Sequence, residues 1–542
     1  MGLLRRPEAW VFVILLGSYA FFWHARDWNS ASRLMLTYSL VDRGTVLLDG
    51  LDQQTGDIAK FHGRYYSDKL PGYSLLATLP YALAKTVLGL PPHPRNVAGL
   101  AYWPADYWTT LGTSSFLSAL SGVLLTILAR DLGCGPRRSL LVGLSYGLAT
   151  PAYAYATMSH GHQATAFTLL ASFTLLWRET QKRPAVRSFL AGVLAAYAAV
   201  IEIQVGPVSA ILGFYLLAQV MTRKRKLARL GEFAVGASLP TLVLLGYNFL
   251  AFGSPWDMGY FHHATDAFQK VHSAENPLGL RGLAGSRVLP LLWGGYRGLF
   301  FYAPILILAF PGWIVLAKRR EWGMAVVSAA TVLAIFLVNL SYPEWTGGWS
   351  TGPRLLVPLF PFAMLPVAAT LAAGGRVTTW VAVGLALAGG VLMLLFQGIG
   401  AHVPQFIADP LREVVLPLWS GSALPPWWVS GRFARNLVGL LMPGPLAQLP
   451  ERWQGLQFAP LVVAQLVAIY WAGRLTRLSP APTERANPHP GSDLGVDQEQ
   501  NGRRDHQDAQ DPGAEPAGVE PDQAPGFVPG RGVNQTDGDH QR

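Results

Sequence analysis

A single cysteine, Cys134, among 542 residues excludes an intrachain disulfide framework and cannot alone build a thiolate metal site. Charge is scarce as well: 14% of residues are charged and 51% are apolar, a balance outside the range of soluble globular domains. The chain has no Gly-Lys-Ser/Thr phosphate loop, dinucleotide fingerprint, zincin helix or nucleophile elbow, so chemistry drawing on ATP or a soluble nucleotide sugar has no visible support. Acidic residues are the scarcer sign, 32 against 42 basic ones, for a net charge of +10. The basic excess sits in short loops between apolar runs, where it reads as membrane topology and not as a nucleic-acid footprint.

In place of charge the chain has long apolar runs. Stretches of roughly 17 to 25 residues recur, each long enough to cross a hydrocarbon core as a helix. They fall at 9–23, 109–129, 138–157, 162–177, 187–203, 205–221, 232–251, 299–316, 323–341, 354–373, 377–398 and 458–474, about twelve spans in all. The first is expected to be retained, because His24-Ala25-Arg26-Asp27-Trp28 offers no small-residue cleavage site. The expectation is an all-α integral membrane protein over 1–475, whose long outer first loop carries interfacial helices. A disordered cytoplasmic tail over 476–542 follows, rich in Pro, Gly, Asp, Gln and Arg and without the apolar residues a core needs.

Basic loops at Arg5-Arg6, 130–138, 178–187, 222–229, 318–320 and Arg376 assign one side, with both termini, to the cytoplasm. Span parity then requires 72–91, which contains Pro80 and Lys85, to lie on or dip into the outer interface. The long loops 24–71, 252–298, 342–353 and 399–457 fall on the outer side. They are rich in Trp, Tyr, Pro and Gly, as ordered loops with interfacial anchors are.

The first outer loop concentrates Asp27, Asp42, Asp49, Asp52, Asp57 and Asp68, and it closes with Gly63-Arg64-Tyr65-Tyr66-Ser67-Asp68-Lys69-Leu70-Pro71-Gly72. Asp42 beside Arg43 reads as a surface pair. Asp57 and Asp68 flank Tyr65-Tyr66 ahead of a rigid Pro-Gly turn that fixes side-chain direction, and both function and structure remain open for them. A carboxylate acting as general base toward an acceptor hydroxyl needs cations for the departing phosphate. Lys69, Arg64, Arg33, Arg297 and Arg354 are the candidates, with snorkelling as the alternative.

Glu202, at the outer end of an apolar span, is either functional or half of a structural ion pair. His160 and His162 flank Gly161 with no acid close by in sequence. They read as sugar or acceptor contacts in preference to metal ligands, no metal site or cofactor being assigned and a divalent cation left open. Tyr65 and Tyr66 join the candidate contacts. Trp345-Thr346-Gly347-Gly348-Trp349 suits sugar stacking and interfacial anchoring equally.

On Ser32-Arg33 with its following helix, on Gly63 to Gly72 and on the Trp345 to Arg354 loop, the chain resembles the GT-C superfamily of membrane glycosyltransferases. Within it, the chain is similar to the branch of protein O-mannosyltransferases and lipid A aminoarabinose transferases, over 1–475. The resemblance implies a polyprenyl-phosphate-linked sugar as donor at the outer face, inversion at the anomeric carbon and a first-loop aspartate as base. Through Lys69-Leu70-Pro71 it also implies a lysine meeting the donor phosphate. The family's acidic pair ahead of Ser32-Arg33 is replaced here by Ser30-Ala31, and Asp27 is the nearest acid. The base is therefore expected among Asp57, Asp68 and Asp27, the first two ahead of the third. The implied acceptor is a lipid, glycan or protein, reached among membrane lipids in a bacterial inner (plasma) membrane, with the site facing outward and no nucleic acid involved. Two other readings stay open: a carrier of a lipid-linked or polar solute, with intramembrane charge and broken helices in two related halves, and a noncatalytic envelope-assembly protein.

Overall fold

The computed structural model describes residues 5–24, 26–94, 103–178, 184–265, 268, 270–423 and 432–476, all within one compact unit, Met1–Ala481. The tail expected over 476–542 lies, beyond Thr476, outside the described residues. The principal helices, in chain order, are α1 Pro7–Ala20, α2 Trp28–Arg43, α3 Gly72–Leu88, α4 Pro104–Asp131, α5 Pro136–Leu148, α6 Gly161–Trp177 and α7 Pro184–Ile201. They continue with α8 Ile203–Met221, α9 Ala228–Phe252, α10 Pro304–Lys318, α11 Trp322–Ser341, α12 Arg354–Ala373, α13 Arg376–Ile399 and α14 Glu451–Leu475. Two antiparallel pairs complete the described secondary structure that matters here: β1 Phe22–Trp23 with β4 Arg435–Asn436, and β2 Ile58–Phe61 with β3 Arg64–Ser67.

Each expected span meets a helix, but among the described residues 8 helices have both the length and the hydropathy to cross a membrane. The shortfall falls on α1, α5, α6 and α10, and the break between α5 and α6 explains itself. Pro151 interrupts the apolar run expected over 138–157, and every residue from 149 to 160 is buried. Irregular backbone at that depth is tolerated where protein encloses it. α12 is the most enclosed of the long helices, with 89% of its apolar window buried, whereas the windows of α8, α9, α13 and α14 are 22% buried. Helices apolar all round belong at the centre when covered and against lipid when not.

α2 begins at Trp28, ahead of Ser32-Arg33. Asp27 caps it by accepting from the Ser30 backbone N–H at 2.7 Å, and Gly44, in the left-handed conformation at φ 63°, ends it. Residues 46–48 run as irregular backbone tied to the hairpin by Leu48 N–H donating to Tyr65 O at 2.8 Å.

α3 buries Tyr73, Ala77 and Tyr81 and exposes Leu79, Leu83 and Val87, the two-sided apolar pattern of a helix lying between protein and lipid. Its first turn sits against α7: a Cβ on Gly72 would come 2.6 Å from Val200 O, and Tyr197 donates to Gly72 O at 2.8 Å. The Pro71-Gly72 turn thus fixes the preceding Asp68-Lys69 beside the C-terminal end of α7.

Candidate functional site

Strand register brings the first cluster together. β2 and β3 pair with Ile58 opposite Ser67, so Asp57 and Asp68, one step beyond each, meet at the same end of the hairpin. A third segment adds His263 there, through an antiparallel bridge to Ala59 and Ala264 N–H donating to Ile58 O at 2.8 Å. Lys69 Nζ lies 2.9 Å from Asp57 Oδ2 and 2.6 Å from Asp68 Oδ2. Ser32 donates to Asp68 Oδ1 at 2.9 Å, and His263 Nε2 stands 3.7 Å from Asp68 Oδ2.

Asp68 is fully buried. Burial pushes its carboxyl up, but the charge of Lys69, with hydrogen bonds from Lys69 and Ser32, overrides that and holds it below the usual range. Burial also works against the Lys69 ammonium, and the two carboxylates outweigh it and raise its pKa. Asp57, Asp68 and His263 present ligand atoms close enough to hold a metal ion. The ammonium of Lys69 already supplies a cation to both carboxylates.

The second cluster forms around Asp27, at the start of α2. His160 Nε2 lies 3.0 Å from Asp27 Oδ2, and His402 Nε2 lies 3.6 Å from the same oxygen. His160 arrives on the buried turn between α5 and α6. His402 arrives because the 346–351 loop is stitched to its flanks: Ser350 N–H donates to Val403 O at 2.9 Å and Thr351 Oγ1 to Ala401 O at 3.0 Å. Burial pushes His160 down to about 3, Asp27 opposing, and lowers His402 in the same way. Burial raises Asp27, but His160, His402 and Arg354 outweigh it and hold the carboxyl well below its ordinary value. The arrangement is an ionised carboxylate, 16% exposed at its side chain, held by a neutral imidazole. Asp27, His160 and His402 are also spaced as a divalent cation would require, and an imidazole-rich set of this kind suits zinc better than magnesium.

A buried triad joins the clusters. Glu202 stands in extended backbone between α7 and α8, 2.9 Å from His162 Nδ1 and 3.5 Å from Arg33 Nη2. Arg33 is 2% exposed, yet among the described residues its Nε and Nη1 find no hydrogen-bond partner, and neither does Arg354 Nε. The charges of Lys69 and Arg33 both act on Tyr260, and those of Lys69 and Arg354 both act on Tyr342. Lys69 Nζ stands 5.8 Å over the Tyr260 ring.

Gly161 makes the triad fit. A Cβ there would come 2.7 Å from Glu202 Oε1, 2.8 Å from Ile201 Cγ2 and 3.1 Å from Arg33 Nη2. Gly161→Ala is expected to displace Glu202 from both partners and to destabilise the protein by about 1–3 kcal/mol, the usual range for overpacking. A shift in the thermal unfolding midpoint of the purified protein measures it, and a wild-type midpoint would refute the packing argument.

Other candidates lie elsewhere. Arg64, 60% exposed at its side chain, pairs with Asp49 at 2.7 Å and braces the hairpin. Tyr65 lies under Lys60 Nζ, and Tyr66 is buried against Phe252. Arg297 is buried and donates to the carbonyls of Thr346, Tyr296 and Gly348, with its guanidinium 3.9 Å over the Tyr296 ring. Two of these bonds hold the 345–349 loop. Trp345 stands against Arg287 and Tyr296, and Trp349 is half exposed, edge-on to Phe406.

His402, an isolated histidine whose partner Asp27 is 375 positions away, and Tyr260 carry no signal in the sequence. No local spacing could have singled out His402, because three separate segments deliver the Asp27 cluster.

No family model and no curated protein matches the chain. Among solved structures it is similar to ArnT from Cupriavidus metallidurans in the apo state, at a TM-score of 0.46 and 15% identity, covering 86% of this chain and 75% of that one. ArnT from the same organism bound to undecaprenyl phosphate gives 0.45 and 14%, covering 86% and 76%. The archaeal oligosaccharyltransferase AglB from Archaeoglobus fulgidus, in complex with an inhibitory peptide and a dolichol-phosphate, gives 0.42 and 11%, covering 89% of this chain and 61% of that one.

Proposed function

We propose that this membrane protein is an inverting glycosyltransferase of the GT-C kind, moving a sugar from a polyprenyl-phosphate donor to a lipid, glycan or protein acceptor at the outer face. The observation that carries the reading is the Asp27 cluster: a part-exposed carboxylate kept ionised and fixed in direction by His160, within the field of Arg354. Such a carboxylate serves as general base in inverting sugar chemistry. The acceptor hydroxyl gives its proton to Asp27 while its oxygen attacks the anomeric carbon. The bond from that carbon to the phosphate oxygen breaks on the opposite face, and its electron pair leaves with the phosphate.

Cations with unused hydrogens meet the leaving phosphate. Arg33 and Arg354 carry unpartnered N–H groups, whereas Lys69 is engaged by two carboxylates. This supports Arg33 and Arg354 as the phosphate ligands, with Lys69 in a supporting place. The carrier reading loses its main support, since Glu202, the carboxylate that suggested it, is tied to His162 and Arg33.

Charge-assisted hydrogen bonds to a phosphate contribute about 1.5–3 kcal/mol each. Arg354→Ala is therefore expected to weaken undecaprenyl-phosphate binding by roughly 10- to 100-fold, read by titration in native mass spectrometry. Arg354→Lys should recover only part of the loss, because it lacks the planar fork. Unchanged binding in Arg354→Ala would remove the phosphate role.

A further inference from the structure

His162 is held on one side and free on the other. It stands on the first turn of α6, 6% exposed, with Nδ1 2.9 Å from the Glu202 carboxylate and its ring edge-on to Tyr155, centroids 5.5 Å apart. Tyr155 is itself fixed, its hydroxyl donating to Thr351 O at 3.0 Å in the loop that leads to Arg354. A carboxylate paired with a guanidinium only accepts, so the proton lies on His162 Nδ1 and Nε2 keeps its lone pair. That Nε2 is buried, and among the described residues it has no hydrogen-bond partner.

Arg33 supplies the complement. Both side chains meet the Glu202 carboxylate, His162 at 2.9 Å and Arg33 Nη2 at 3.5 Å, and Arg33 Nε and Nη1 are buried donors without a partner among the described residues. A buried acceptor thus lies beside buried donors, and each calls for a partner. The oxygens of a phosphodiester only accept, so a donor phosphate satisfies the guanidinium and gives Nε2 nothing. A hydroxyl donates and accepts at once, and can complete both. An ammonium could also donate to Nε2, but the charges of Arg33 and Arg354, which both act on His162, repel a third cation there.

The place of the histidine selects the hydroxyl. His160, two residues earlier, holds Asp27 at 3.0 Å, and the two imidazole rings are 5.6 Å apart. On its other side His162 shares Glu202 with Arg33, the phosphate ligand. It therefore stands between the base and the leaving group, which take opposite faces of the anomeric carbon. The sugar hydroxyl within reach of both is the one on the neighbouring carbon, C2, where hydrogen bonds strengthen as the oxocarbenium character develops.

We propose that His162 Nε2 accepts from the C2 hydroxyl of the donor sugar, with Glu202 as the positioning residue that fixes the tautomer, and that the donor therefore carries a free hydroxyl at C2 and no amino group there. The assignment deepens the glycosyltransferase reading and rests on it, but it is read as a difference between donors and not as donor binding.

The full-length protein in nanodiscs is titrated in native mass spectrometry with undecaprenyl phosphate and with its glucosyl, mannosyl, galactosyl, 2-deoxyglucosyl, 2-deoxygalactosyl and 2-amino-2-deoxyglucosyl esters. The 2-deoxyglucosyl ester differs from the glucosyl and mannosyl esters only in lacking the C2 hydroxyl. In wild type, at least one hexosyl ester should bind roughly 10-fold more tightly than its 2-deoxy form, the cost of a buried hydrogen bond left unmade, and the 2-amino ester should bind no better than the 2-deoxyglucosyl one. His162→Phe keeps a ring and loses the acceptor, and Glu202→Gln can donate to Nδ1 and so releases the tautomer; each should bring the ratio near one. His162→Gln, whose amide oxygen can accept, should recover part of it. The wild-type ratio needs no variant and stands even if a substitution unfolds the protein. A ratio near one for every sugar, a 2-amino ester bound as tightly as the glucosyl one, or a ratio that survives both His162→Phe and Glu202→Gln overturns the C2 contact. If undecaprenyl phosphate still binds wild type and weakens in Arg354→Ala, the donor reading is then left intact. Failure of undecaprenyl phosphate and of every ester to bind wild type overturns both.

Discussion

Asp27→Asn is expected to lower sugar transfer by about 10²–10⁴-fold, the range for a lost general base, with donor affinity nearly unchanged. Asparagine keeps the size of the side chain and one oxygen that can accept from His160, so the loss reports proton transfer and not collapse of the turn. Asp57→Asn and Asp68→Asn serve as contrasts: both carboxylates are locked to Lys69 at 2.9 and 2.6 Å, so their removal should change stability more than turnover per folded molecule.

The pH profile gives an independent check. The Asp27 pKa is depressed in the folded protein by His160, His402 and Arg354 against the opposing effect of burial. The carboxylate therefore stays ionised, and the base competent, as pH falls past the ordinary aspartate value. The acid limb of kcat/KM should appear only below about pH 4. Two results would sink the assignment: wild-type turnover in Asp27→Asn, or an acid limb near neutrality carried by a free histidine.

The order of importance that the sequence suggests, Asp57 and Asp68 ahead of Asp27, is reversed in this reading, and the cause is physical. The apolar runs and basic loops carry the membrane architecture in plain view, because hydropathy over 17 to 25 residues is a local property. The pairing of Asp57 with Asp68 is local too, since a short hairpin joins them. The state of those carboxylates is not local. It depends on which cation reaches them, and Lys69, read as a phosphate ligand, turns back onto its own neighbours. Asp27, by contrast, acquires its partners from positions 160, 354 and 402, which no spacing rule connects. Arg297 shows the same limit from the other side: a guanidinium at the end of a span looks free in sequence, and only the fold reveals the three carbonyls that take three of its five N–H groups.

Lys69→Met should destabilise the protein by about 3–5 kcal/mol, the cost of leaving a buried charge without its partner. Asp68 is wholly buried and Asp57 largely so, with side-chain exposures of 0% and 14%, and His263, at 3.7 and 4.0 Å from them, is pushed toward the neutral form by burial. Nothing else described contacts both oxygens as a cation. The sign of the pH dependence follows from Asp68. Its folded pKa lies below the unfolded one, so the wild-type pairing contributes stability above the unfolded aspartate value and loses it as pH falls through the folded value. The deficit of Lys69→Met should therefore be largest at neutral pH and shrink toward pH 4, where the stranded carboxyls of the variant take up protons. Adding Asp57→Asn and Asp68→Asn to Lys69→Met removes the uncompensated charge and should restore most of the stability, since a neutral set of similar volume replaces a buried ion pair at little cost. Chemical unfolding in bicelles at two pH values separates the outcomes. A lysine whose main duty is the donor phosphate would instead give Lys69→Met with wild-type stability at both pH values and donor binding lost outright.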